Sequence, residues 1–337
     1  MKGTTKSIPE GDTYVLDILL QIAPFLIVYF FLQFGVKQRN THPLRYEWIT
    51  RIICFLIICS YSLIALRNTT AFLHLDQIRE KEVLQSLALF IVSIVALLVF
   101  IPPIRRLIGR SIPIDSNDVV HTVSLSLSFL VFHVYILTAF SLEELIQNST
   151  QGTTIGTLWT QDILLALTAI IGVGWLQKRN TKETLKRLGL VRPTFKIFFT
   201  GISFAVCFVI INLILEQLAS ISGFGMDPNV DKITNQQLGP LFETIPGILT
   251  LGLAAALGEE LIFRGAMLPK FGLVYTSILF TLVHANYGLS VATLIVFILA
   301  IVLGVLRIRY NTTLTMVTHA SYNIILGLLA LLGSKLT

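Results

Sequence analysis

The chain has 337 residues, of which 54% are hydrophobic and 13% charged, with a mean hydropathy of +0.78. A soluble domain carries about 25% charged residues, so a water-soluble globular fold is excluded and an integral, multi-pass membrane protein is indicated. The apolar runs are of helix length rather than ten-residue alternations, which excludes an outer-membrane barrel. The net charge of +6 is not a nucleic-acid signal, because the basic residues sort by membrane side.

Lys2 and Lys6 precede an apolar run from Tyr14 to Val36. It is too long for a signal peptide and lacks a small-residue cleavage site, so it is expected to be a retained first span. Ten spans are expected in all, an all-α polytopic bundle: about 13–36, 48–66, 84–101, 119–141, 157–177, 195–218, 242–268, 271–287, 289–306 and 312–333. With the N-terminus placed outside, 18 of the 25 Lys and Arg residues fall in inner segments, as positive-inside sorting requires. Both termini are then outside the cytoplasm, and the expected location is the plasma membrane of a prokaryote.

The first four spans, within residues 1–145, form a region of unknown role. Asp17, Gln21 and His133 are its intramembrane polar groups. A lone histidine on an apolar helix is expected to be a satisfied core residue. Cys54, Cys59 and Cys207 lie in apolar runs and read as small core residues without a disulfide framework. Asn68-Thr69-Thr70 and Asn148-Ser149-Thr150 match the weak glycosylation pattern. No internal repeat supports an inverted-repeat transporter. In the longest inner linker, Thr181–Leu190 reads as a short amphipathic helix on the inner surface, with Leu185, Leu188 and Leu190 dipping into the membrane, or as a plain positive loop.

The seventh span contains Gly258-Glu259-Glu260-Leu261-Ile262-Phe263-Arg264. A charge at the bilayer centre costs at least about 2.5–3.5 kcal/mol on insertion scales, and such groups face a bundle interior or a wet cavity. Glu260 and Arg264 are four apart, share a helix face and can pair. Glu259 is rotated by about 100° and lacks that partner. Two further clusters follow, Phe280-x-x-x-His284 and His319-x-x-x-Asn323, each again with ends four apart. A carboxylate in a low-dielectric pocket becomes a better base for water. A histidine can share the proton, and amide and imidazole N–H groups can donate to an oxyanion, one such donor being worth about 10²–10³ in rate. These parts compose an amide-bond hydrolase. No Gly-x-Ser-x-Gly elbow, nearby cysteine or His-Glu-x-x-His pattern is present.

In order, the three motifs make the chain resemble the CAAX-processing and bacteriocin-processing (CPBP, or Abi) intramembrane proteases, over roughly residues 180–335. The resemblance implies a CAAX-endopeptidase-like core in the C-terminal half, a protease domain of 157–335 with its motifs within 242–335. It implies that Glu259 activates water with His284, that His319 and Asn323 stabilise the oxyanion, and that Glu260 and Arg264 form a structural ion pair. Members are commonly called metalloproteases. Glu259, His284 and His319 would suit zinc with an open fourth position, but they come from three separate helices without an evident supporting carboxylate, which favours a metal-free glutamate protease. Glu260 is the one carboxylate available to orient a metal-bound histidine, and Arg264 is expected to occupy it. The expected activity is hydrolysis of a peptide bond in a membrane-associated or prenylated, CAAX-like protein or peptide, with membrane lipids and that substrate as partners. The alternatives are a transporter or proton relay, a non-catalytic scaffold, or a peptide self-immunity protein on the same fold.

Overall fold

Long apolar runs satisfy all their backbone groups within the bilayer only as helices, and helices are the only extended regular elements among the described residues. The computed structural model describes residues 43–70, 80–142, 146–147, 152–223, 225, 228–288 and 290–333. The first expected span, with Asp17 and Gln21, and the Asn148 pattern lie outside them.

Helix α1 covers Pro43–Thr70 and α2 Glu80–Leu98. After a bend of 100°, α3 runs Pro102–Ile108, with prolines in its first turn, where no amide hydrogen is needed. Helix α4 is Val119–Phe140, capped by the Asp118 carboxylate, which accepts from Val120 N at 2.7 Å. Helix α5, Ile155–Gly172, opens with a Thr154–Thr157 capping box. Helix α6, Thr181–Leu188, opens with an Asn180–Glu183 box and ends at Gly189, whose φ of 73° is a left-handed cap that glycine adopts without penalty. Then come α7 (Phe195–Ser222), α8 (Pro228–Phe242) and α9 (Ile245–Glu259). The last continues as a π-helical stretch, Glu260–Met267, and a final turn, Leu268–Phe271. Helices α10 (Leu273–Leu282), α11 (Val291–Arg309) and α12 (Thr312–Gly333) complete the chain.

Among the described residues, six helices are long and apolar enough to cross a membrane, or seven if α2 and α3 form one broken span. The polytopic helical bundle stands, and the first of the ten expected spans lies outside the described residues. The run expected over 48–66 lies in α1. The eighth, expected over 271–287, is reduced to the ten residues of α10. At 1.5 Å per residue α10 is about 15 Å long, half the hydrocarbon thickness of about 30 Å. It stops because Val283 caps it and His284 (φ −95°, ψ 43°) turns the chain into the 3₁₀ turn Ala285–Tyr287. Hydropathy does not register such a stop. Helix α8 is the converse, a helix too polar to be expected as a span.

Helix α9 packs between α5 and α12, and α12 also packs on α7. A Cβ on Gly252 would lie 2.8 Å from the Ala320 carbonyl oxygen, so glycine there permits the α9–α12 approach. Trp159 of α5 donates from Nε1 to Thr250 Oγ1 of α9 at 3.3 Å. Helix α4 ties the N-terminal region to the C-terminal one: Ser128 Oγ and Tyr275 OH are 2.6 Å apart, and Leu125 shares a core cluster with Phe271. His133 is a satisfied core residue, with Nδ1 3.0 Å from the Phe129 carbonyl and Nε2 2.8 Å from Ser93 Oγ. Cys54 is core as expected, but Cys59 is only half-buried and Cys207 is exposed on α7.

The 181–190 segment is helical, but it docks on protein rather than dipping three leucines into lipid. Leu188 is buried with Ala166, Val173 and Leu261, and Leu190 packs against them, while Leu185 stays exposed. Arg187 donates to the Gly265 and Ala266 carbonyls at 2.8 and 3.0 Å, groups that the end of the π-helical stretch leaves available.

Candidate active site

The change from α- to π-helix falls between the two adjacent glutamates. Widened turns of this kind are frequent at functional sites. Glu260 is fully buried and Arg264 only 2% exposed. Arg264 donates from its Nη1 to Glu260 Oε1 at 2.9 Å, the pair that their spacing predicted. The guanidinium carbon lies 4.0 Å over the Phe280 ring, a cation–π contact, and Nη2 reaches the Ala300 carbonyl at 3.5 Å. Phe280 therefore does more than mark a motif: it forms one wall of the arginine's pocket.

Glu260 has a second partner that the sequence did not reveal. His319 Nδ1 lies 2.9 Å from the same Oε1. The ion-paired carboxylate accepts, so Nδ1 donates and Nε2 is turned away from Glu260. That Nε2 lies 4.0 Å from Glu259 Oε2. The result is a chain, Arg264–Glu260–His319–Glu259, running from a fully enclosed ion pair to a carboxylate that is 14% exposed. Glu259 Oε2 is itself buried and has no hydrogen-bond partner. The expectation that Arg264 alone occupies Glu260 is corrected, since Glu260 also orients a histidine, the role of a supporting carboxylate.

His284 is held differently. Its Nδ1 lies 2.8 Å from the Phe280 carbonyl, which can only accept, so the lone pair is on Nε2 in the neutral ring. The ring packs on Phe280 (centroids 4.9 Å apart) and stacks with Tyr287 at 5.9 Å. Phe280 also meets His319 edge-on at 6.1 Å, so one aromatic side chain spaces the two histidines. Asn323 lies one turn beyond His319 and donates from Nδ2 to the Leu251 carbonyl at 3.3 Å. One amide hydrogen bridges α12 to α9, and the amide retains a second.

A zinc site requires three protein ligands gathered around one point. Among the described residues, no three His, Cys, Asp or Glu side chains are grouped so as to hold a metal ion. Both Nδ1 atoms are engaged, by Glu260 and by the Phe280 carbonyl, which leaves each Nε2 as the atom that could coordinate. The set Glu259, His284 and His319 is not gathered around one point in this arrangement.

One carboxylate at the site escaped the sequence reading. Asp162 of α5 is 2% exposed and its Oδ1 has no hydrogen-bond partner. It lies against Gly258, where a Cβ would fall 2.7 Å from the Asp162 Cα and carbonyl oxygen, one position before Glu259. The available signal was an acidic residue inside an apolar run. Gly258→Val is expected to force α5 and α9 apart at a cost of about 1–3 kcal/mol. Thermal melts in detergent would read this, and a melting temperature equal to wild type would contradict the close approach.

The fold and site together define a multi-pass helical membrane protein with a Glu/His centre enclosed in its bundle. Residues 241–325 match the family model of the type II CAAX prenyl endopeptidase Rce1-like proteins. This stretch contains all three motifs, so the resemblance stands, and at the level of the family it supports an intramembrane protease of CAAX type. No curated protein and no solved structure matches the chain.

Proposed function

We propose that the protein is an intramembrane endopeptidase that hydrolyses a peptide bond of a membrane-associated or lipidated substrate by water activation without a metal. The observation that supports this best is the buried chain from Arg264 through Glu260 and His319 to the partnerless oxygen of Glu259. Glu259 takes a proton from water as the oxygen attacks the scissile carbonyl. His319 Nε2 receives that proton, and Glu260 balances the resulting imidazolium through Nδ1. The new Nε2–H then faces the developing oxyanion, joined by the second amide hydrogen of Asn323. Collapse of the tetrahedral intermediate returns a proton to the leaving amine. His284, with its lone pair on Nε2, is assigned to holding the water. The geometry favours His319 over His284 as the proton partner of Glu259, because it is the histidine within 4.0 Å of that carboxylate.

The test is cleavage of a panel of lipidated and unlipidated peptides by purified protein in detergent, in water enriched in ¹⁸O, with products read by mass spectrometry. One ¹⁸O in the new carboxylate and activity that persists with a strong chelator are expected. Activity abolished by the chelator and restored by zinc would overturn the metal-free mechanism. Absence of cleavage of every peptide by folded protein would overturn the protease reading itself.

A further inference from the structure

A cavity of about 550 Å³ lies between α4, α5, the α5–α6 connection and the π-helical stretch, within the size range of small-molecule sites. None of Glu259, Glu260, His284 or His319 lines it. Its wall is graded from charged to apolar. Lys178, Arg179, Arg187 and Lys270 line one end, together with Asp115 and Asp118. Farther in, the lining is Leu130 and Val134 of α4, Leu165 of α5, and Leu279 with the adjoining Val283 after α10.

The charged groups gather at one end on every element, while Gln161, Thr168 and Ser128 add neutral polar groups along the wall. Along α4 the charged cap Asp118 comes first and Val134 last, a separation of about 24 Å. Along α5 the order is reversed, with Leu165 before the Lys178–Arg179 connection, as an antiparallel helix requires. Lys270 likewise precedes Leu279 in the chain. Val134 and Val283 are 38% and 44% exposed, so the apolar part is accessible from the side of the bundle.

Four cations against two carboxylates leave this end at +2. Asp118 caps α4 and faces Lys178, and Asp115 Oδ1 accepts from Asn117 N at 2.9 Å, which leaves two cations in excess. Arg179 and Arg187 donate to backbone carbonyls, which take hydrogen bonds without cancelling charge. Burial, then the like charges of Arg179 and Arg307, push the Arg187 guanidinium down to about 10. An anion there would relieve that strain. Basic pockets between membrane helices are a recurrent way of holding lipid headgroups.

We propose that this cavity binds an anionic phospholipid of the surrounding membrane, its phosphate among Lys178, Arg179, Arg187 and Lys270 and one acyl chain along Leu130, Val134 and Leu165. An isolated phosphate would leave the apolar wall bare, and a zwitterionic lipid would leave the positive end uncompensated.

The test measures lipid retention on purified full-length protein by native mass spectrometry and by melting temperature, and it does not depend on proteolysis. Phosphatidylglycerol and phosphatidylcholine with matched chains are compared, alongside inorganic phosphate and a prenylated peptide. Retention of phosphatidylglycerol at least tenfold above phosphatidylcholine, with a rise in melting temperature, is expected. Lys270→Gln should weaken it about fivefold, the worth of one basic residue at an anionic headgroup, and Leu165→Trp should weaken it by occupying the chain's path. Lys196→Gln, outside the cavity, should leave it unchanged. Lipid-free melts of each variant establish that it is folded. Equal retention of the two lipids, or retention indifferent to both cavity variants, would overturn the proposal. So would inorganic phosphate reproducing the whole melting shift, which would mean an ion site. Displacement of the lipid by the prenylated peptide, lost in both variants, would assign the cavity to substrate and overturn it as well.

Discussion

Arg264→Ala is expected to lower the stability of the folded protein by about 3–5 kcal/mol, the usual cost of removing one member of a buried ion pair. Glu260 would remain fully buried with only His319 to offset its charge, and the face of Phe280 would lose its cation. Arg264→Lys should fall between alanine and wild type, because an ammonium keeps the charge but not the planar stack over the ring. Arg264→Ala combined with Glu260→Gln should recover part of the loss, since no uncompensated charge is then enclosed. Melting in detergent, followed by the helical signal, measures all of these. An Arg264→Ala protein that melts with wild type would show that the pair contributes nothing.

Glu259→Gln is expected to separate activity from stability in the opposite way. The amide keeps the shape of the carboxylate but cannot take a proton from water, so cleavage should fall by about 10²–10⁴, the range of general-base contributions. Its Oε2 is buried and makes no hydrogen bond. The variant should therefore melt at or above the wild-type temperature. A stable, inactive variant is the signature of a group held at some cost for chemistry. Product formation and melting are measured on the same preparation. Cleavage that survives in Glu259→Gln would remove this carboxylate from the mechanism, and a large drop in melting temperature would mark it as a structural residue.

What could be read from the sequence was whatever lies within one helix. The Glu260–Arg264 pair follows from a spacing of four, and the approximate extents of α4, α7 and α12 from the apolar runs 119–141, 195–218 and 312–333. Helix α6 is visible in the amphipathic pattern of Leu185 and Leu188 among lysines and arginines. Contacts between helices were not legible. His319 meets Glu260 across 59 residues of chain, and nothing in either motif says which carboxylate it joins. Asp162 sits 96 positions before Gly258, and only the packed α5–α9 contact shows them to be neighbours. The surface helix was expected to use its leucines on lipid because a single sequence displays an amphipathic face without showing what covers it. The end of α10 was missed for a related reason: Ala285 and Tyr287 extend the apolar run although the backbone has already turned.

On the proposed protease reading, the turn at His284 would also act as a ruler for the substrate. Lys270, at the foot of α10, is suited to the headgroup level, and the helix carries the chain about 15 Å deeper, near the middle of the hydrocarbon. An extended peptide advances about 3.3 Å per residue. A scissile bond brought alongside His284 from that side must therefore be preceded or followed by about five residues threaded below the headgroups. Shorter segments would hang in the interface out of reach. Length of accessible extended chain, more than the identity of any one side chain, would then decide which peptides can be cut.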